Sequence, residues 1–165
     1  MNASDSQTQT APLALHRETV DPAWIDYNGH MNLAYYVLAF DHATDEFFDY
    51  IGLGAAYLEA NNCSTFTLEA HVTYERELMA GDPMRFDTQL LDHDAKRLHY
   101  MHMMYHAEGG YLASTHELIS LQVNRAERRS SAMPRSVIDR LDQVAAAHRA
   151  LPRPAQAGRV ISLGR

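Results

Sequence analysis

The segment Trp24-Ile25-Asp26-Tyr27-Asn28-Gly29-His30-Met31-Asn32 stands directly ahead of a long helical repeat and carries the clearest chemistry in the chain. Asp26 falls at a strand-to-helix junction, and Gly29 lets backbone and ligand approach closely. A helix start presents unpaired N–H groups and the positive end of the helix dipole. A carboxylate facing such donors can carry out acyl transfer. The donors polarise a carbonyl and hold the developing oxyanion. The carboxylate attacks the carbonyl or activates water. The same spacing also suits an aspartate that only makes a turn and caps the helix, and the residues alone leave both readings open.

Other candidate groups are weaker. His99, His102 and His106 share one strand, but His102 and His106 sit about 13 Å apart and His99 points the other way. With no HxH pair and no HExxH helix, no metal site and no cofactor are expected, and these histidines are read as exposed or interface groups. Cys63 is the one cysteine and has no arguable base partner; a single thiol also excludes an intrachain disulfide. Arg125, Arg128 and Arg129 form the densest basic group, fit to hold phosphate or simply a solvated strand end. The formal net charge of -7 argues against nucleic acid or an anionic membrane surface as partner. No apolar run approaches the ~20 residues of a membrane helix. The start lacks the basic and apolar regions of a secretory signal, so a reducing cytoplasm is the expected setting.

The elements that must position Asp26 read as follows. Residues 1–12 are polar and are expected to form a disordered lead-in, and residues 13–148 form one domain. Leu13 to Val20 is a short strand. Leu33, Tyr36, Val37, Phe40, Thr44, Phe47 and Ile51 recur at helical spacing, with Asn32 as N-cap and Gly52 and Gly54 as stop. A short second helix follows over AAYLEANN. Residues 63–76 alternate as a strand that places Glu69 opposite Phe66 and Leu68. Three more strands follow, and a change of apolar phase near Glu117–Leu118 predicts a bulge. Ser136 to His148 reads as a short amphipathic helix. The remainder, 149–165, reads as an irregular tail laid across a neighbour. This order predicts an α+β architecture in which an antiparallel sheet wraps around one long central helix.

The motif Asp26-x-x-Gly29-His30-Met31-Asn32, followed by an aromatic-rich helix, resembles the hotdog-fold acyl-CoA thioesterases of the 4-hydroxybenzoyl-CoA thioesterase type. The later HVTYERELMAGDPMRFDTQLL resembles that family's second and third strands, so the likeness spans about residues 14–124. Within the family, WIDYNGHMN, KRLHYMHMMYH and AAAHRALPRPAQAGR look like the betainyl-CoA thioesterases of carnitine and glycine-betaine catabolism. The resemblance implies that Asp26 is the catalytic carboxylate and that the backbone N–H of Leu33 is the oxyanion donor. His30 and Asn32 shape the turn. Leu33 stands where many members have a second Asn, and Trp24 where many have a first Asp. The implied assembly is a homodimer or a dimer of dimers with sites at the interface. A quaternary ammonium acyl group calls for aromatic faces and a carboxylate. Trp24, Tyr27, Tyr36, Phe66 and Glu69 are the candidates for it, with Arg125 and Arg128 for the CoA phosphates. The rivals are a thioesterase for another short-chain or aromatic acyl-CoA, a non-catalytic acyl-CoA-binding domain, and a hydratase working through an Asp26–His30 pair.

Overall fold

The computed structural model describes residues 11–163; the expectation for residues 1–10 lies outside them. Strand β1 (Leu13–Thr19) leads through the Asp26 loop into helix α1 (Leu33–Ile51). A short α2 (Ala55–Asn61) precedes strands β2 (Cys63–Tyr74), β3 (Pro83–His93), β4 (Arg97–His106) and β5 (Leu112–Asn124). A two-residue β6 (Arg129–Ser130) and helix α3 (Arg135–His148) complete the order. The sheet runs β1-β3-β4-β5-β2, antiparallel throughout, with β6 paired to β5. This is the predicted α+β arrangement of a curled sheet on one long helix.

Helix α1 begins where the Asn32 side chain accepts from Ala34 N at 3.0 Å, as its residue type predicts. It ends at Gly52, whose φ of +86° lets the chain turn back, and Leu53 N donates to Phe48 O at 2.8 Å. Its buried stripe is Tyr36, Ala39, Phe40, Ala43, Thr44, Phe47 and Ile51. Leu33 and Val37, predicted for the stripe, lie exposed on its flank. The small Ala39 and Ala43 face the sheet in their place and let helix and sheet approach closely. Two apolar clusters result. One gathers Tyr36, Phe40 and Phe86 around the first half of α1, and the other gathers Phe47, Ile51, Tyr100 and α3's Leu141.

A polar seam lies between the clusters. Thr44 Oγ1 donates to Phe40 O at 2.9 Å and so accepts from His102 Nε2 at 3.0 Å. His102 Nδ1 then accepts from Thr88 Oγ1 at 2.8 Å. His102 is wholly buried, which corrects its reading as an exposed histidine. Its neighbour across β5, His116, is also buried. Burial pushes His102 down to about 3 and His116 to about 4, so both are neutral imidazoles at pH 7.

Two strand expectations change. The bulge lies across from its predicted place, at Leu68 of β2 between the pairs Thr67–Ser120 and Glu69–Ile119. It shifts the phase, so Glu69 shares the outer face with Phe66 instead of opposing it. The apparent phase change on β5 has another source: Ile119, Leu121 and Val123 are apolar residues on its outer face. The tail runs across this chain's own sheet. Gln89 Nε2 donates to Pro152 O at 3.3 Å, and Gly158 N donates to Glu117 Oε2 at 2.7 Å. Beneath it Met101 is fully covered although it points outward. Among the described residues no helix is long and apolar enough to cross a membrane.

Candidate active site

The loop ahead of α1 is tied down at both ends. Asp21 caps a single helical turn, accepting from Ala23 N at 2.8 Å. Ile25 and Met31 then bridge and pinch the intervening residues into a tight loop. Asp26 N donates to His30 O at 3.1 Å, and Gly29 N donates to Asp26 O at 2.9 Å. Gly29 takes φ +85°, a conformation that suits glycine.

This loop aims the Asp26 carboxylate. Its Oδ1 accepts from Asn28 N at 2.8 Å, and its Oδ2 accepts from Asn32 Nδ2 at 3.1 Å. Asn32 therefore does two jobs: its amide nitrogen holds Asp26 while its oxygen caps the helix. Because Asn32 takes up Ala34 N, the N–H of Leu33 is the first-turn donor left with no acceptor among the described residues. Asp26 and Leu33 both line one cleft of about 330 Å³. Acyl transfer calls for a carboxylate and a hydrogen-bond donor on one cleft. A carboxylate serving only as a helix cap would spend an oxygen on a first-turn N–H; here Asn32 is the cap.

The far wall of the cleft comes from α1 and the end of β2. The rings of Tyr36 and Tyr74 meet edge to face, with centroids 5.4 Å apart at 89°. Tyr36 Oη accepts from Leu78 N at 3.1 Å, and Tyr74 Oη donates to Leu33 O at 3.3 Å. Burial raises both phenols, so they stay neutral. Glu75, Arg76 and Glu77 complete the rim, with the Arg76 guanidinium 4.0 Å above the Tyr111 ring. Tyr74, Glu75 and Glu77 did not stand out in the sequence as site residues. Their signal was the Tyr-Glu-Arg-Glu run at the end of a strand, which turns back toward the helix start.

The predicted site residues divide into groups. Asp26, His30, Leu33 and Tyr36 line the cleft, with Asn32 behind Asp26. The His30 ring nitrogen Nδ1 lies 3.4 Å from Met31 O, whereas both Asp26 oxygens are held by asparagines, so no Asp–His pair forms for a hydratase. Trp24 stacks on Tyr35 at 5.5 Å, outside the cleft. Tyr27 is 97% exposed at the loop tip. Phe66, Arg125 and Arg128 line a second groove of about 550 Å³ with Leu68 and Leu121. Glu69 borders an outer-face cleft beside His71 and Glu117, under the tail. Within the chain these three places are lined by different residues.

The family model for the thioesterase-like superfamily matches residues 20–141. The chain belongs to this superfamily. The betainyl-CoA thioesterase of Pseudomonas aeruginosa is 40% identical over 92% of this chain and 95% of its own length. The L-carnitine dehydrogenase/betainyl-CoA thioesterase of Rhizobium meliloti is 34% identical, and the match spans 94% of this chain and 31% of that longer protein. A Staphylococcus aureus protein solved in complex with CoA superposes with a TM-score of 0.86 at 31% identity, covering 97% of this chain and 99% of that one. The fold is therefore the hotdog fold, and the activity of this thioesterase-like chain is hydrolysis of acyl-CoA thioesters.

Proposed function

We propose that this thioesterase hydrolyses betainyl-CoA to glycine betaine and CoA, with Asp26 as the catalytic carboxylate. The observation that carries this reading is the cleft itself. A carboxylate with both oxygens oriented and a free helix N–H stand opposite two tyrosine rings and two glutamates. The trimethylammonium group has no hydrogen-bond donor and is held by aromatic faces and negative charge. Tyr36, Tyr74, Glu75 and Glu77 supply both. The match to the Pseudomonas aeruginosa enzyme over nearly the full length of each chain supports the same substrate.

In the reaction, Leu33 N–H polarises the thioester carbonyl. Asp26 attacks its carbon or takes a proton from the water that does. The C–S bond breaks, CoA leaves as a thiolate that gains a proton, and water supplies the oxygen of the acid. A cytoplasmic setting suits this substrate and the buried free thiol of Cys63.

We further infer a homodimer through β2. This twelve-residue strand is an unpaired sheet edge with Phe66 and Leu68 exposed. Antiparallel pairing with a second copy about its centre sets the Tyr74 end of one strand beside the Cys63 end of the other. Arg125 N donates to Asn62 O at 3.0 Å, so the basic groove adjoins that end. The Phe66, Arg125 and Arg128 groove of one copy then borders the Asp26 cleft of the other, placed for CoA phosphates.

The test is thiol release from betainyl-CoA by wild type and Asp26→Asn. The expected result is a loss of at least ~10²-fold in kcat with the fold intact. Wild-type turnover in the variant contradicts the site.

A further inference from the structure

Away from the Asp26 cleft, β1 and α1 bring three ligand-bearing side chains together. His16 and Glu18 project from the same face of β1 by strand alternation, and His42 comes from the third turn of α1. His42 Nδ1 lies 3.0 Å and 3.1 Å from the two Glu18 oxygens, and His16 Nε2 lies 3.3 Å from Glu18 Oε2. One ligand atom from each residue can be chosen so that all lie within 4.8 Å of one another. Ligands about 2.0–2.1 Å from a tetrahedral ion stand about 3.3–3.4 Å apart. The side chains therefore need to move little to share an ion.

The surroundings support this. The side chains of His16, Glu18 and His42 are 17%, 20% and 39% exposed, so the site is sheltered yet open to solvent on the His42 side. Among the described residues Glu18 pairs with no lysine or arginine; its side-chain contacts are the two imidazoles. The His16 ring is set against Phe86 at 5.0 Å, which limits its rotation.

We propose that His16, Glu18 and His42 form a site for a divalent transition-metal ion of the zinc, cobalt and nickel group, with water in the open position. Two imidazoles and one carboxylate suit these borderline ions better than calcium or magnesium, which demand oxygen. The ion ties the edge strand β1 to the central helix. His42 stands nine residues, about 13 Å along the axis, beyond Leu33, so the role is structural and independent of thioester hydrolysis. The competing description is a His–carboxylate cluster without a metal, which requires both imidazoles to carry a proton on the facing nitrogen.

The experiment uses the full-length protein stripped of metal. Zn²⁺ is titrated against a chromophoric chelator, Co²⁺ spectra report coordination, and melting is followed with and without Zn²⁺. The comparison is between wild type, Glu18→Gln and His42→Ala, each with thiol release as a check of folding. The expected result is one equivalent of Zn²⁺ bound at micromolar concentration or tighter, weakened at least about tenfold in both variants. Zn²⁺ raises the Tm of wild type and leaves the variants unmoved. Binding that persists unchanged in both variants places the metal on other histidines and overturns the proposal. Absence of binding to wild type up to millimolar Zn²⁺ overturns it as well.

Discussion

Asp26 and Asn32 form a unit in which one residue would do chemistry and the other holds it in place. The Asn32 amide nitrogen donates to Asp26 Oδ2 at 3.1 Å, and its oxygen accepts from Ala34 N at 3.0 Å. Asn32→Ala removes both bonds. We predict a loss of about 1 kcal/mol in stability from the missing cap. A fall in kcat beyond that loss of folded enzyme should accompany it, since the carboxylate is freed to rotate. Denaturant titration beside steady-state kinetics separates the two effects, and an unchanged kcat would reduce Asn32 to a helix cap. The residues around Asp26 by themselves left a turn-and-cap aspartate and a catalytic carboxylate both open; the likeness of Asp26-x-x-Gly29-His30-Met31-Asn32 to the hotdog thioesterases is what marked the segment as a candidate site. Tyr74, Glu75 and Glu77 were not legible, because they reach the cleft only once β2 has paired with β5 and the chain has turned back under α1.

At the scale of elements, the helix period located α1 and most of its buried stripe, although Leu33 and Val37 stand exposed, and the strand alternation located the strands. The misplacement of Glu69 has a definite physical cause: an extra residue in a strand reverses which face its successors occupy. Leu68 is that residue in β2, and it moves Glu69 to the outer face, away from the cleft of its own chain. The seam through Thr44, His102 and Thr88 was equally hidden, since a histidine in an alternating strand does not announce which face it takes. Thr44→Val keeps the shape but leaves His102 Nε2 without its acceptor. We predict a destabilisation of about 1–3 kcal/mol, measured by chemical denaturation. An unchanged midpoint would show that the seam carries no stability. Phe47→Ala, in a site with no exposure, is expected to cost about 3–5 kcal/mol by the same measurement.

For the whole molecule, the two buried histidines set a pH limit. Burial holds His102 at about 3 and His116 at about 4, below the ordinary histidine value of about 6.5. Between those values the unfolded chain binds more protons than the folded one. Stability is then full above about pH 6.5 and falls as pH drops toward 4, with a slope of up to about 1.4 kcal/mol per pH unit for each histidine. Melting temperatures across pH 4–8 should show this fall, and it should shrink in His116→Gln; a flat profile contradicts the burial argument. The exposed β2 edge makes a second prediction at this scale. Light scattering should give a mass of at least twice the 18.6 kDa of one chain. Leu68→Asp should lower that mass and turnover together. A monomer with full activity would show that one protomer's cleft suffices.

The central claim is that the cleft reads a cationic acyl group on a CoA thioester. The most direct measurement is kcat/KM for betainyl-CoA beside 3,3-dimethylbutanoyl-CoA, its neutral isostere of the same shape. The account predicts that betainyl-CoA is hydrolysed at least about tenfold more efficiently, the equivalent of about 1.4 kcal/mol of cation recognition in a desolvated aromatic site. Equal rates, or a preference for the isostere, would contradict it.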